Sequence, residues 1–237
     1  MMENLLNKQQ ICDRIKIINE NIQHACLLSN KSVKDITVMA VTKTVAPEYV
    51  NYAIECGIKT LGENKVQEYL SKYQHYNLSD ADVHFIGRLQ TNKVKYIADK
   101  VSMIECVDSF NLASVINKHC LKLNKVMNVL VGVNIGDEPT KSGVNAGDVL
   151  GLINEISVLS NIRVRGLFAI PPKTDSYLKS EQYFSQINNI FIDIKAKKID
   201  NVYMDFLSMG MSADYQLAIK HGANIVRLGT AIFGKRY

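Results

Sequence analysis

Apolar positions recur at helical intervals at the start of the chain. Leu5, Leu6, Ile11, Ile15, Ile18 and Ile22 share one face and predict an amphipathic helix over residues 2–28. From residue 36 the rhythm changes. ITVMAV at 36–41 is an apolar run of strand length, after which Pro47 suits the first position of a helix and Gly57 its C-terminal cap. The unit of strand, loop and helix recurs with TLGEN (60–64), VHFIG (83–87), SMIECVD (102–108), NVLVGVN (128–134), VRGLFAI (164–170), VYMDFLS (202–208) and IVRLGT (225–230), so the pattern predicts eight strands. Helical spacing between them is clearest for Leu112, Val115, Ile116, Cys120 and Leu123 behind a candidate Asp108 cap, and for Tyr183, Phe184, Ile187, Ile190, Phe191 and Ile194.

NVLVGVN and VRGLFAI are nearly continuous apolar runs, the pattern of parallel strands covered on both faces. Eight such units predict an α/β fold: a single (β/α)8 TIM barrel with an extra N-terminal helix. One domain then spans 1–237, with residues 1–30 as a leading helix packed on the barrel. A doubly wound open sheet is the structural competitor.

Composition narrows the class without naming a function. With 47% hydrophobic residues, 13 Gly and 4 Pro the chain is neither disordered nor collagen-like. Its net charge of +5 comes without a block of like charges, so nucleic acid is not implied, although an anionic ligand would suit it. No 18-residue apolar run occurs and the N-terminus is polar, so neither a membrane span nor a signal peptide is expected. The five cysteines are odd in number and show no C-x-x-C pair, a usage that fits a reducing cytosol and a cytoplasmic protein.

In a barrel of this kind the chemistry sits where the strands end. The residues to inspect are therefore Lys43, Glu63, Asn64, His84, Arg88, Asp108, Asn134, Pro171, Ser208, Gly229 and Thr230. Lys43 emerges at the barrel rim, where a low-dielectric wall would depress its pKa and leave a neutral amine able to capture an aldehyde. A solvated strand-end lysine is the alternative. SMGMSADYQLAI at 208–219 passes from strand to helix through a glycine loop with Ser212 as candidate N-cap, and Gly229 and Thr230 add a second glycine and hydroxyl. The two loops together fit the phosphate position that barrels favour after their last two strands.

An amine for an aldehyde and a cup for a phosphate match the two ends of pyridoxal 5′-phosphate (PLP), bridged across the barrel mouth. Arg227 would then face the pyridine nitrogen and make the cofactor a poorer electron sink; the alternative is a salt bridge on the rim. His84 reads as a strand residue bonded to a neighbour. The five histidines, His24, His75, His84, His119 and His221, are scattered without ligand spacing, so no metal is expected. Lys195, Lys197 and Lys198 read as a solvated helix end, and Asp137, Glu138 and Lys141 as a surface loop over the mouth.

AVTKTV at 40–45, GENKVQE at 62–68, HFIGRLQTNK at 84–93, NIGDEPTKSGV at 134–144, RGLFAIPP at 165–172, LSMGMSADYQLAI at 207–219 and VRLGTAIFG at 226–234 together resemble the YggS/PROSC family of PLP homeostasis proteins. The resemblance covers nearly the whole chain. It implies a barrel similar to the N-terminal domain of alanine racemase, with PLP held as a Schiff base on Lys43. Matched motif by motif, Ser208, Gly210, Gly229 and Thr230 would hold the phosphate, Arg227 would approach the ring nitrogen and Asn64 would lie near the ring. Leu61 stands where many relatives have Phe, and Lys65 where Tyr is common, which bears only on lateral packing of the cofactor.

The expected role is to hold PLP and buffer or deliver it, in vitamin B6 and amino acid homeostasis, without appreciable catalysis. The alternative is a weakly active PLP-dependent amino acid racemase. That chemistry needs a second base, which in the similar enzymes comes from an additional domain, and the sequence given stops at Tyr237. Apo PLP-dependent enzymes are the expected recipients, and a monomer is expected.

Overall fold

Asn7 opens the first helix with a reciprocal cap. Its side-chain oxygen accepts from Gln10 N (2.9 Å), while the Asn7 N–H donates to Gln10 Oε1 (3.1 Å). The computed structural model describes residues 7–138 and 142–234, so Leu5, Leu6, Lys141 and Tyr237 lie outside the described residues. Helix α1 (Lys8–Ser29) buries Ile11, Ile15, Ile18 and Ile22, the face that the spacing marks out.

The repeating unit follows: β1 (Thr37–Val41), α2 (Pro47–Glu55), β2 (Thr60–Glu63), α3 (Val66–Lys72), β3 (Asp82–Phe85), α4 (Val94–Ile97), β4 (Met103–Val107), α5 (Phe110–Lys122) and β5 (Met127–Asn134). It continues with a two-residue β6 (Val144–Asn145), α6 (Val149–Ser157), β7 (Ile162–Ala169), α7 (Tyr177–Ala196), β8 (Val202–Met211), α8 (Tyr215–Lys220), β9 (Ile225–Leu228) and α9 (Thr230–Phe233). Every pairing is parallel. The ring runs β1-β2-β3-β4-β5-β7-β8-β9 and closes through β9 on β1, with β4 joined to β5 and β6 beside β5 outside the ring. This is a (β/α)8 TIM barrel; closure rules out the open sheet. All eight expected strand segments fall on barrel strands.

The apolar runs have their reason in two layers of packing. Outward side chains such as Ile104, Val129, Val131 and Leu167 join the large core beneath the helices, whereas Met103, Cys106, Leu130 and Phe168 form a small cluster inside the barrel. In β4 the register slips between Ile104 and Val107, so strict alternation fails there.

Several local expectations are corrected. Ser109, and not Asp108, caps α5, because its Oγ accepts from Leu112 N at 3.3 Å. Asp214 occupies the N-cap position of α8, with its Oδ1 accepting from Met211 N at 2.6 Å, which leaves Ser212 free to turn elsewhere. The odd cysteine count conceals a bonded pair. Cys12 and Cys56 are joined with Cα atoms 5.3 Å apart, while Cys26, Cys106 and Cys120 are free and buried. Among the described residues no helix is long and apolar enough to cross a membrane.

Candidate cofactor-binding site

Three residues, 42–44, turn the chain out of β1 and carry Lys43. Thr42 is buried, and its hydroxyl donates to Glu63 Oε1 of β2 (2.6 Å), which also accepts from Tyr76 OH (2.7 Å). Lys72 Nζ donates to the Thr42 carbonyl (3.3 Å). Glu68 accepts the Thr44 N–H and pairs with Lys72, and Thr44 adopts φ +58°, so both sides of the turn are fastened to the β2–α3 segment. Burial works to raise the Glu68 carboxyl, but the Lys72 ammonium and the Thr44 N–H outweigh it and hold it below the usual carboxylate range. Glu63 goes the other way: burial pushes its carboxyl up against the lowering effect of the Thr42 and Tyr76 hydrogen bonds.

Lys43 itself is exposed. The low-dielectric wall expected against its ammonium is not there, because the turn carries it out past the strand's end.

Inside the barrel a polar chain crosses from β3 to β9. His84 Nδ1 lies 2.6 Å from Glu105 Oε1, and Ser208 Oγ donates to Glu105 Oε2 at 2.6 Å. Arg227 Nη1 donates to Ser208 Oγ (2.8 Å) and Nη2 to the Ala169 carbonyl (2.7 Å), with the guanidinium 4.3 Å from the Phe168 ring centre. Glu105 and Ser208 are fully buried and Arg227 is 3% exposed. Burial lowers the Arg227 pKa to about 10, with Glu105 opposing, so the guanidinium keeps its proton at neutral pH. The rim salt bridge is therefore not what Arg227 makes. Its partners are a hydroxyl and a carbonyl in the interior, and Glu105 acts on it through Ser208.

Ser208 thus stands one step below the rim, with its hydroxyl on Arg227 and Glu105. Above it, β8 and β9 end in the glycine loops. Gly210 is buried at φ +92°, and a Cβ there would lie 2.6 Å from Ala218 Cβ, so only glycine lets the loop lie this close on α8. Ser212 Oγ accepts from Ala231 N (3.1 Å), which ties the Gly210 loop to the Gly229 and Thr230 opening of α9. The register sets Met39 beside Arg227 and Ala40 beside Leu228. Lys43 and the glycine loops consequently leave neighbouring strands side by side, not across the mouth as expected, because closure of the ring makes β1 and β9 hydrogen-bonded partners.

Asn64 ends β2 on the other side of Lys43. Its Oδ1 is buried without a hydrogen-bond partner among the described residues, as is Glu63 Oε2. Gly87 presses on the Asn64 backbone, where a Cβ would meet the carbonyl oxygen at 2.0 Å. Outside Asn64 lies a cavity of about 420 Å³ bordered by Lys65, Glu68, Arg88 and Lys93, and on the opposite flank one of about 760 Å³ reaches Ser212 and Asp214.

The residues expected from the sequence are therefore brought to one end of the barrel, and Arg227 and Ser208 into direct contact. Glu105 and Glu68 were not singled out from the sequence, whereas Glu63 was read only as a strand-end residue and Ser212 only as a helix cap. A glutamate in the middle of the apolar run MIECV was a usable signal, since a buried carboxylate needs partners. His84 is, as expected, a strand histidine bonded to a neighbour. Asn134 fastens the next loop through its side chain to Glu138 O (2.9 Å) and Glu138 N (3.2 Å). Among the described residues no group of three histidine, cysteine or carboxylate side chains is placed to hold a metal ion.

Comparison with known proteins gives this geometry a context. The sequence matches the family described as alanine racemase, N-terminal domain, over residues 17–237. It is 41% identical over 225 residues to a protein of Aquifex aeolicus named pyridoxal phosphate homeostasis protein, covering 95% of this chain and 98% of that one. The Escherichia coli K12 protein of the same name is 33% identical over 229 residues, covering 95% and 97%. PipY of Synechococcus elongatus, solved with PLP bound, superposes with a TM-score of 0.79 at 26% identity, over 90% of this chain and 100% of that one. With the barrel, the seven motifs and these matches in agreement, the chain belongs to the alanine racemase N-terminal domain family and, within it, to the pyridoxal phosphate homeostasis proteins.

Proposed function

We propose that this protein binds PLP at the rim between β1 and β9 and holds it for apo PLP-dependent enzymes, without appreciable turnover of amino acids. The observation that carries the proposal is an exposed lysine at the end of β1 beside β9, which bears a buried arginine and the Gly229 loop, with the Gly210 loop on β8 as the next strand round. PLP in the similar PipY supports it. The residues fit the group. Asn64 offers a buried acceptor that has no partner among the described residues, and Gly210, Gly229, Thr230 and Ser212 gather small side chains and hydroxyls where a phosphate would lie.

When bound, PLP supplies an aldehyde that condenses with a primary amine and a ring that withdraws electrons. Lys43 provides the amine, on a turn that Glu63, Glu68 and Lys72 hold in place. Gly229 and Thr230 open α9, and the first amides of a helix have no acceptor within it, which suits an anion. Ser208 contributes by holding Arg227. The guanidinium has donors only, so it hydrogen-bonds a ring nitrogen without passing it a proton, and Glu105 is engaged by His84 and Ser208. An unprotonated ring is a weak electron sink, which favours storage over racemisation or transamination.

Binding and chemistry are separated by two measurements on the purified protein. Thr230→Ala is expected to weaken PLP binding about tenfold or more while changing pyridoxal binding little, since a hydrogen bond to a charged group contributes about 1.5–3 kcal/mol. Equal losses for both ligands would remove the phosphate from these loops. Against a panel of D- and L-amino acids, no sustained racemisation or keto-acid release is expected; steady turnover would instead establish the weak racemase.

A further inference from the structure

Helix α1 touches both flanks of the proposed site. Arg14 Nη1 donates to the Ile232 carbonyl of α9 (3.1 Å) and Asn21 Nδ2 to Tyr215 OH of α8 (3.1 Å), and Lys31, just past the helix's C-terminal end, donates from Nζ to the Ile219 carbonyl of α8 (2.6 Å). These bonds brace the two short helices that follow the Gly210 and Gly229 loops. On its other side α1 meets α2, the helix that follows the Lys43 turn. Beside the apolar packing that the two helices share, the join has two specific links, the Lys8–Glu55 ion pair (2.6 Å), which is about half exposed, and the covalent Cys12–Cys56 bond. An exposed ion pair stabilises little, so the disulfide is the stronger link.

The bond is also reachable. Cys12 and Cys56 are half-buried, unlike the three buried free cysteines, and a cavity of about 600 Å³ lined by both of them with Ile15, Lys16, Glu20 and Gln23 lies beside it. That space admits a small peptide thiol with its own charged groups facing Lys16 and Glu20.

We infer that Cys12–Cys56 is a thiol–disulfide exchange site for low-molecular-weight thiols, and that its redox state sets how firmly α1 braces the α8 and α9 side of the cofactor site. The effect on cofactor affinity rests on the PLP reading above; the exchange and the bracing do not. In the reductive direction the thiolate of a small thiol attacks one sulfur, breaking the S–S bond and releasing the other cysteine as thiolate. A second thiol then attacks the mixed disulfide. Two electrons pass from the two thiols to the protein bond, their protons end on Cys12 and Cys56, and one small-molecule disulfide is formed. A small-molecule disulfide drives the reverse.

The full chain is equilibrated with oxidised glutathione or with dithiothreitol. A portion of each sample is denatured, alkylated and weighed; the rest, still folded, is used for amide hydrogen exchange and PLP titration. Three alkylated thiols are expected after oxidation and five after reduction. Five in both samples would overturn the exchange site. Reduction is expected to increase exchange in residues 215–220 and 230–233 as well as in α1, and unchanged protection there would overturn the bracing. PLP affinity is expected to fall about fivefold or more on reduction, in the range usual for coupled sites. Cys12→Ser is expected to resemble the reduced protein and to ignore dithiothreitol; a response like that of the unaltered protein would overturn the assignment to this pair. Should neither form bind PLP while protection of α8 and α9 still falls, the exchange site stands and the cofactor reading fails.

Discussion

Glu68 shows how one charge shapes the turn that carries Lys43. Because its folded pKa is depressed, its stabilising contribution is present above the unfolded carboxylate range and is lost as pH falls through the folded value. Glu68→Gln is therefore expected to cost about 1–2 kcal/mol at pH 7, by denaturant unfolding, with the difference from the unaltered protein shrinking as acid protonates the folded carboxyl. A difference independent of pH would mean that packing, and not charge, fastens the turn. Glu63 is the counterpart: burial raises its carboxyl above the usual range, so its ionisation opposes folding as pH rises. Ser208 belongs to the same scale. Ser208→Ala strips one partner from a buried guanidinium and one from a buried carboxylate, so a loss of about 1.5–3 kcal/mol is expected in the same unfolding measurement. Lys43, Arg227, Gly229 and Thr230 could be chosen as candidates from the sequence because strand ends in a barrel are where chemistry collects. Glu105 stands out in SMIECVD as a charge among apolar residues, but the groups it meets inside the barrel, His84 and Ser208, lie on other strands and could not be read from the run itself.

At the scale of elements, the connection from β8 to α8 decides the shape of the side where the phosphate is proposed to lie. Its tightness depends on Gly210, whose left-handed backbone and contact with Ala218 leave no room for a side chain. Gly210→Ala is expected to destabilise the protein by about 1–3 kcal/mol and to weaken PLP more than pyridoxal. A variant of unchanged stability with both ligands retained would show that the loop relaxes freely. Asn7→Ala is expected to cost about 1 kcal/mol, since it removes the reciprocal cap of α1. The eight strands were readable from apolar runs because two-sided burial leaves little room for polar residues. Caps were less readable: Asp108 and Ser109 both suit the start of α5, as Ser212 and Asp214 do for α8, and only the three-dimensional turn chooses between neighbours.

For the whole molecule the consequential event is closure. Pairing β9 with β1 brings the first and last strands of the barrel together, so residues nearly two hundred positions apart, Lys43 and Thr230, leave adjacent strands. Linear reading set these two candidates on opposite sides of the mouth, since spacing along a chain carries no information about which strands meet. The Cys12–Cys56 bond, spanning 44 positions, ties α1 to the end of α2, while α1 also lies against α8 and α9. Chain-entropy arguments give such a bond about 4 kcal/mol as an upper figure, so reduction is expected to lower the melting temperature by on the order of 10 °C. Lys43 is proposed as the amine that receives the cofactor. The most direct test is borohydride fixation of the PLP-loaded protein followed by peptide mapping. One phosphopyridoxyl mass increment on the peptide holding Lys43, absent from Lys43→Ala, is the expected outcome; an increment on another lysine, with Lys43 unmodified, would contradict it.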